Sequence, residues 1–266
     1  MPELPEVETV VRGLQNTIVG EKIMDLEAPW EKALVADDPY ESIVGRVITG
    51  VSRRAKYIVI EMDEGFLLVH LRMTGKLTPV YPEKHVTVIL HFESGNSLYF
   101  QDTRKFGRMV YTKDPQHALG HIGPEPLSAD FTPDLFYQML HGKKRLIKPL
   151  LLDQSFLAGL GNIYVDEALF QAAIQPLSVS LSIPKKRVYS LHSAIQSILS
   201  ASIEAQGTTV LNFSHGDNRI GSYQEALEVY GRGDEPCLKC GTLIIKIKVG
   251  QRGTHYCASC QKKYTG

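Results

Sequence analysis

The chain has 266 residues, enough for one large domain or two modest ones, and its 43% hydrophobic and 22% charged content suits a folded globular protein. No apolar run approaches a membrane span, and the acidic start carries no secretory-signal pattern, so a cytosolic setting is expected. The formal charge of +0, from 29 basic and 29 acidic residues, would argue against a nucleic-acid partner only if the charges were evenly mixed. They are not. Asp25, Glu27, Glu31, Asp37, Asp38 and Glu41 form an acidic region, whereas Arg53-Arg54-Lys56 and Lys143-Lys144-Arg145-Lys148 are basic clusters. From Cys237 to Gly266 there are six Lys/Arg and no Asp or Glu. A neutral total can therefore hide a basic face, and the local field is what attracts phosphate.

The chain opens Met1-Pro2-Glu3-Leu4-Pro5-Glu6. Prolines and carboxylates there suit the first turn of a helix, and taken alone they need no other explanation. If Met1 is removed, however, Pro2 becomes a terminal secondary amine. An α-amino group has a pKa of about 8, so part of it is neutral and nucleophilic near pH 7. Val7, Val10, Val11 and Leu14 at helical spacing, with Gly20 as a stop, predict an amphipathic helix over residues 5–17.

From residue 22 to about 112 the pattern is β. Strands are predicted at 22–28, 46–52, 56–62, 66–71, 86–92, 97–101 and 108–112, punctuated by glycines at 45, 50, 65, 75, 95 and 107. That density of short strands predicts a two-layer sandwich or flattened barrel over 1–112. Prolines and glycines dominate 113–133, which reads as a linker. Helices are predicted at 134–141, 144–152, 162–173 and 185–205. Leu157-Ala158-Gly159-Leu160-Gly161-Asn162 forms a turn between two of them, which would aim backbone N–H groups at a phosphate. Residues 213–222 read as a polar loop. The expected division is thus 1–112, linker 113–133, a helical DNA-binding domain 134–222 and a metal module 223–266, an α+β fold in two domains.

The strongest single signal is Cys237-x2-Cys240 and Cys257-x2-Cys260, sixteen residues apart, which uses all four cysteines. This is four-cysteine zinc spacing. Disulfides are disfavoured without a secretory signal. Four protein ligands leave no open position, so one structural zinc ion is expected and no metal catalysis. Such a site contributes on the order of 10 kcal/mol to folding. Between the knuckles, 243–249 reads as a strand and Gly250-Gln251-Arg252-Gly253 as a hairpin tip that carries a phosphate-reading arginine.

PELPEVE at the N-terminus, RRAKY at 53–57, HLRMTG at 70–75, LGNIY at 160–164 and the finger with QRGT at 251–254 occur in that order. Together they resemble the bacterial formamidopyrimidine-DNA glycosylases (8-oxoguanine-DNA glycosylases) of the Fpg/Nei family, from Pro2 to Cys260. The resemblance implies a monomeric, nucleoid-associated repair enzyme that excises oxidised purines from double-stranded DNA and then cuts the strand by β,δ-elimination. It assigns Pro2 as the nucleophile forming a Schiff base with C1′ and Glu3 as the proton carrier at the sugar. Lys56 becomes the proton donor in β-elimination and a phosphate contact, and Arg252 the phosphate clamp and proton donor in δ-elimination. Glu6 matches a family carboxylate at the helix start and is counted with the DNA contacts.

Met73, Arg104 and Phe106 match the trio that fills the void left by an extruded nucleotide. Core packing is the simpler reading for Met73 or Phe106 alone, but Phe106 falls in a turn. His85, Lys143, Lys148 and Asn162 match DNA-contacting positions, although Lys148 reads equally well as a solvated lysine. Tyr230, in Tyr230-Gly231-Arg232-Gly233, and the 213–222 loop match the part enclosing the flipped base. Many members read Asp-Pro-Arg-Arg-Phe-Gly where this chain has Asp102-Thr103-Arg104-Lys105-Phe106-Gly107, so the turn aiming the trio lacks its proline. Two rivals are an endonuclease VIII-type enzyme for oxidised pyrimidines and a catalytically silent zinc-finger protein that binds damaged DNA.

Overall fold

The computed structural model describes residues 1–36, 39–208 and 221–265. Asp37, Asp38 and all but the last two residues of the predicted 213–222 loop lie outside them. The chain divides into two compact units. One comprises Met1–His121 with the described residues of Ala205–Ser222, the other Ile122–Glu204 with Tyr223–Gly266. Residues 205–208 therefore sit with the N-terminal unit, where the sequence pattern grouped them with the helical domain.

In the first unit, α1 (Leu4–Ile18) buries Val7, Val10, Val11, Leu14 and Ile18 along one stripe, as the spacing predicts. Among the described residues, nine strands follow. A four-stranded antiparallel sheet has the order β1 (Ile23–Glu27), β7 (Val86–Phe92), β8 (Ser97–Asp102), β6 (Gly75–Thr78). The five-stranded sheet runs β2 (Leu34–Ala36), β9 (Arg108–Thr112), β5 (Phe66–His70), β4 (Tyr57–Met62), β3 (Ile48–Arg54), antiparallel except where β2 meets β9. One apolar cluster draws on both sheets and on α1, with Phe100 and Tyr111 among its largest side chains. β2 and β6 are too short to carry an alternation signal and were not predicted.

The predicted linker holds structure. Asp114 caps α2 (Pro115–Leu119) by accepting the Gln116 N–H at 2.9 Å, and Phe131 is buried against the His192 ring at 4.9 Å between centroids. The second unit continues with α3 (Pro133–His141), α4 (Ile147–Leu151), α5 (Asn162–Gln171) and α6 (Lys185–Glu204). Helix α4 is shorter than the predicted 144–152. Leu146 is extended and pairs with Val179 in an antiparallel bridge, so the helix starts only at Ile147, and Lys143 and Lys144 are exposed.

The C-terminal module is a two-stranded ribbon, β10 (Ile245–Val249) against β11 (Arg252–Tyr256). Gly250 and Gln251 both have positive φ (55° and 64°), the two-residue turn whose twist matches a hairpin. Its apolar cluster is small: Phe170, Val229, Cys237, Ile244 and Cys257, with Cys260 against it. Among the described residues, no helix is long and apolar enough to cross a membrane.

Candidate active site and nucleic-acid interface

The N-terminal unit presents three features. The first is the start of α1. Glu3 is its N-cap, and its N–H donates to Glu6 Oε2 at 2.9 Å. Glu6 Oε1 accepts the Thr208 N–H at 3.0 Å and the Thr208 hydroxyl at 3.1 Å. Gly207 has φ +84°, and a Cβ there would lie 2.9 Å from that same oxygen, so only glycine lets the chain close over the carboxylate. Glu6 is 1% exposed. Glu6, expected among the DNA contacts, has both oxygens engaged within the protein, where Oε2 holds the Glu3 N–H. Pro2 and Glu3 are buried beside it.

The second feature is the turn between β3 and β4. Arg54 pairs with Tyr57, which leaves Ala55-Lys56 as a two-residue turn. Ala55 holds φ +53°, a conformation usually left to glycine at this place. Arg53 fixes the turn to α1, since its Nε meets Glu8 Oε2 at 2.9 Å and its Nη1 donates to the Ala55 carbonyl at 3.0 Å. Lys56 is buried in this turn. Near it, the His70 ring is buried and its Nδ1 accepts the Arg72 N–H at 3.0 Å, which requires a neutral imidazole. Burial, then the charges of Arg72 and Lys56, hold the His70 pKa down at about 3.

The third feature is a pair of loops with apolar tips. Met73, 37% exposed, sits between β5 and β6; Phe106, 51% exposed, sits between β8 and β9. The Arg104 guanidinium lies over the Phe106 ring at 4.9 Å. Both Arg104 and His85 are exposed. Beneath the loops is Asp102, a buried carboxylate the sequence reading did not single out. Its Oδ1 accepts the Thr74 hydroxyl and the Arg104 N–H (3.1 Å), and its Oδ2 accepts the Gly107 N–H (2.6 Å).

In the second unit the four cysteine sulfurs lie within 4.8 Å of one another. Cys237 Sγ and Cys260 Sγ are 3.9 Å apart, Cys240 Sγ and Cys257 Sγ 3.5 Å. These separations are too long for a disulfide. A tetrahedral zinc with Zn–S bonds of about 2.3 Å sets its sulfurs about 3.8 Å apart, so the donor set and its spacing fit that ion. Cys237, Cys240, Cys257 and Cys260 would hold it, with no position left for a substrate.

Adjacent carboxylates on α5 bind this module to the helices. Asp166 Oδ1 meets Lys148 Nζ at 2.6 Å and Oδ2 accepts the His255 N–H at 2.9 Å. Glu167 accepts the N–H groups of Glu228 (2.9 Å), Val229 (2.9 Å) and Tyr230 (2.7 Å). Burial raises the Glu167 pKa above the ordinary carboxylate value, and the three N–H donors only partly offset that rise. Lys148, expected as a phosphate contact, lies inside this tie. Its side chain is 0% exposed, and its ammonium is committed to Asp166 and to the Gly253 carbonyl at 2.9 Å.

The Gly253 carbonyl also accepts from Asn162 Nδ2 at 2.9 Å, while Asn162 Oδ1 is buried with no hydrogen-bond partner among the described residues. Lys148, Asn162 and the tip residue Arg252 are thus grouped around one peptide, with Arg252 and Lys143 exposed. Tyr230 is half-buried with its ring edge-on to His255.

Comparisons with known proteins agree with this anatomy. Residues 1–109 match the model of the formamidopyrimidine-DNA glycosylase N-terminal domain. Residues 122–214 match that of the formamidopyrimidine-DNA glycosylase H2TH domain, and 234–263 that of the zinc finger found in FPG and IleRS. A formamidopyrimidine-DNA glycosylase of Herpetosiphon aurantiacus is 46% identical, covering 98% of this chain and 100% of the relative. Another, of Protochlamydia amoebophila, is 44% identical, covering 99% and 100%.

The chain belongs to the formamidopyrimidine-DNA glycosylase family. Solved relatives include Lactococcus lactis FPG (MutM) in complex with Fapy-dG-containing DNA, at TM-score 0.89 and 39% identity, covering 98% of this chain and 100% of that one. The wild-type L. lactis protein with N7-benzyl-Fapy-dG DNA is similar at TM-score 0.90 and 39% identity, with the same coverage.

Proposed function

We propose that the protein is a bifunctional DNA-repair glycosylase and AP lyase that removes oxidised purines, 8-oxoguanine and formamidopyrimidines, from duplex DNA. The observation that carries this reading is the start of α1: a proline at position 2 and a glutamate at its N-cap, fixed by Glu6 and Thr208. Two-fifths or more identity along the full chain to proteins named for this activity supports it.

With Met1 in place the Pro2 nitrogen is an amide without a nucleophilic lone pair, so loss of Met1 precedes chemistry. The freed amine attacks C1′, the glycosidic bond breaks, and the base leaves with a proton. Glu3 exchanges protons with the sugar oxygen as the ring opens and the nitrogen–C1′ bond becomes an iminium. Loss of a C2′ proton then expels the 3′ phosphate, with Lys56 as proton donor, and a second elimination expels the 5′ phosphate, with Arg252 as its clamp and proton donor. Met73, Arg104 and Phe106 fill the void left by the extruded nucleotide, whose unstacking costs a few kcal/mol. His85, Lys143, Asn162 and Tyr230 are the remaining DNA contacts, and a zinc ion on the four cysteines holds the ribbon that carries Arg252. The protein acts as a monomer in the bacterial cytoplasm at the nucleoid.

Paired excision assays on duplexes carrying 8-oxoguanine opposite cytosine and thymine glycol opposite adenine test the substrate class. Faster release of 8-oxoguanine is expected. Much faster turnover of thymine glycol would place the chain with the pyrimidine-specific enzymes instead.

A further inference from the structure

The Met73 loop and the Arg104–Phe106 loop stand on one support. Both seat on the Phe100 ring: a Cβ on Gly75 would lie 3.0 Å from it and one on Gly107 2.5 Å from it, so each glycine permits an approach that no other residue could make. Gly75 pairs with Asp102 across β6 and β8, which sets the loops side by side. The Asp102 carboxylate then binds both. It takes the Thr74 hydroxyl from the first loop and the Arg104 and Gly107 N–H groups from the second, and the Arg104 N–H also reaches Thr74 Oγ1 at 3.2 Å. The Asp102 N–H itself donates to the His85 carbonyl at 2.9 Å. On the far side, Lys105 Nζ lies 4.1 Å from the centre of the Trp30 ring, the chain's single tryptophan.

We propose that Asp102, with Thr74, is a positioning residue that makes the two loops one rigid block, so that Met73, Arg104 and Phe106 enter the DNA stack together. The inference rests on the functional reading above. A carboxylate accepting from both loops resists their separation, because parting them leaves a buried acceptor or an N–H unpaired. Asp102 touches no reacting atom in this scheme. It sets where the wedge points.

The test compares a step that requires void filling with one that does not. Thr74→Val, nearly isosteric, and Asp102→Asn, which turns one acceptor edge into a donor, are assayed for single-turnover excision of 8-oxoguanine from duplex DNA. They are also assayed for borohydride trapping on a single-stranded oligonucleotide with a preformed abasic site. Excision from duplex is expected to fall on the order of tenfold in each, the worth of one or two buried hydrogen bonds. Trapping on the single strand stays near wild type, and Thr74→Ser restores excision. Melting curves and Trp30 emission separate a released loop from an unfolded protein: the loop variant keeps its transition and shifts its emission.

Duplex excision within about twofold of wild type in both variants would overturn the proposal. So would an equal loss on the single strand. A wild-type protein that neither excises nor traps would overturn the functional reading, and this inference with it.

Discussion

Two sets of buried carboxylates tie down loops of this protein, and they rest on different foundations. Glu6 and Asp102 lie in the first unit, over an apolar cluster that spans two sheets and a helix. Asp166 and Glu167 lie in the second, joined to a ribbon whose own cluster is only five residues, Cys237 and Cys257 among them. In each case a carboxylate accepts backbone N–H groups and so fixes a loop without covering it, from distant segments for Glu6, Asp166 and Glu167 and from its own turn, with the more distant Thr74 hydroxyl, for Asp102. The difference lies in what holds if one tie is removed. The first unit retains its hydrophobic burial, and so do the helices of the second; the ribbon joined to those helices has little apolar burial of its own and depends on these ties and on the ion its cysteines would hold.

The largest effect that separates the two is loss of zinc. Cys257→Ser, or chelation, removes a site worth on the order of 10 kcal/mol to a module with little core. Metal analysis is expected to fall from one ion per chain toward none, and affinity for duplex DNA to drop by about two orders of magnitude as the basic ribbon is lost. The thermal transition of the first unit persists. Coincident loss of both transitions would show that the units are not independent in this respect.

Next is Lys148→Met. It leaves the buried Asp166 carboxylate without its cation, and breaking a buried pair in this way costs about 3–5 kcal/mol. Denaturant unfolding should show that loss in the second unit alone, and adding Asp166→Asn should recover part of it. An effect below about 1 kcal/mol would mean that Lys148 is solvated, as an exposed pair would be.

A smaller effect belongs to the first unit. His70 titrates at about 3 when folded and near 6.5 when free, so between those values the unfolded chain binds the extra proton. The stability His70 contributes is complete above pH 6.5 and is lost as pH falls toward 3. His70→Asn keeps an acceptor for the Arg72 N–H without the titration. It should flatten that slope in pH-dependent melting; an unchanged slope would assign the acid sensitivity to other groups.

Much of this architecture was legible in the sequence. The stripe of Val7, Val10, Val11 and Leu14, the glycine-broken strands and the cysteine spacing are periodic or local signals, and each predicted an element close to where it lies. The hubs were not legible. Asp102 read as part of a loop motif, and Asp166 and Glu167 did not stand out within the predicted helix 162–173, because their partners lie up to 89 residues away and leave no spacing to detect. The burial of Lys148 was hidden for the converse reason: its neighbours Lys143, Lys144 and Arg145 are exposed, and nothing local distinguishes the lysine turned inward on α4. Glu6 was legible as a helix-start carboxylate but not as the partner of Thr208, 202 residues on. The chemistry-bearing residues sit in short motifs; the residues that aim them are dispersed.

The measurement closest to the central claim is borohydride trapping on duplex DNA carrying 8-oxoguanine, followed by peptide mapping of the adduct. The account predicts a covalent adduct on the peptide that begins at Pro2, sharply reduced in Pro2→Gly, with Glu3→Gln binding damaged DNA but releasing no base. An adduct mapped to Lys56 or any other lysine, or no adduct while DNA binding is intact, would contradict it.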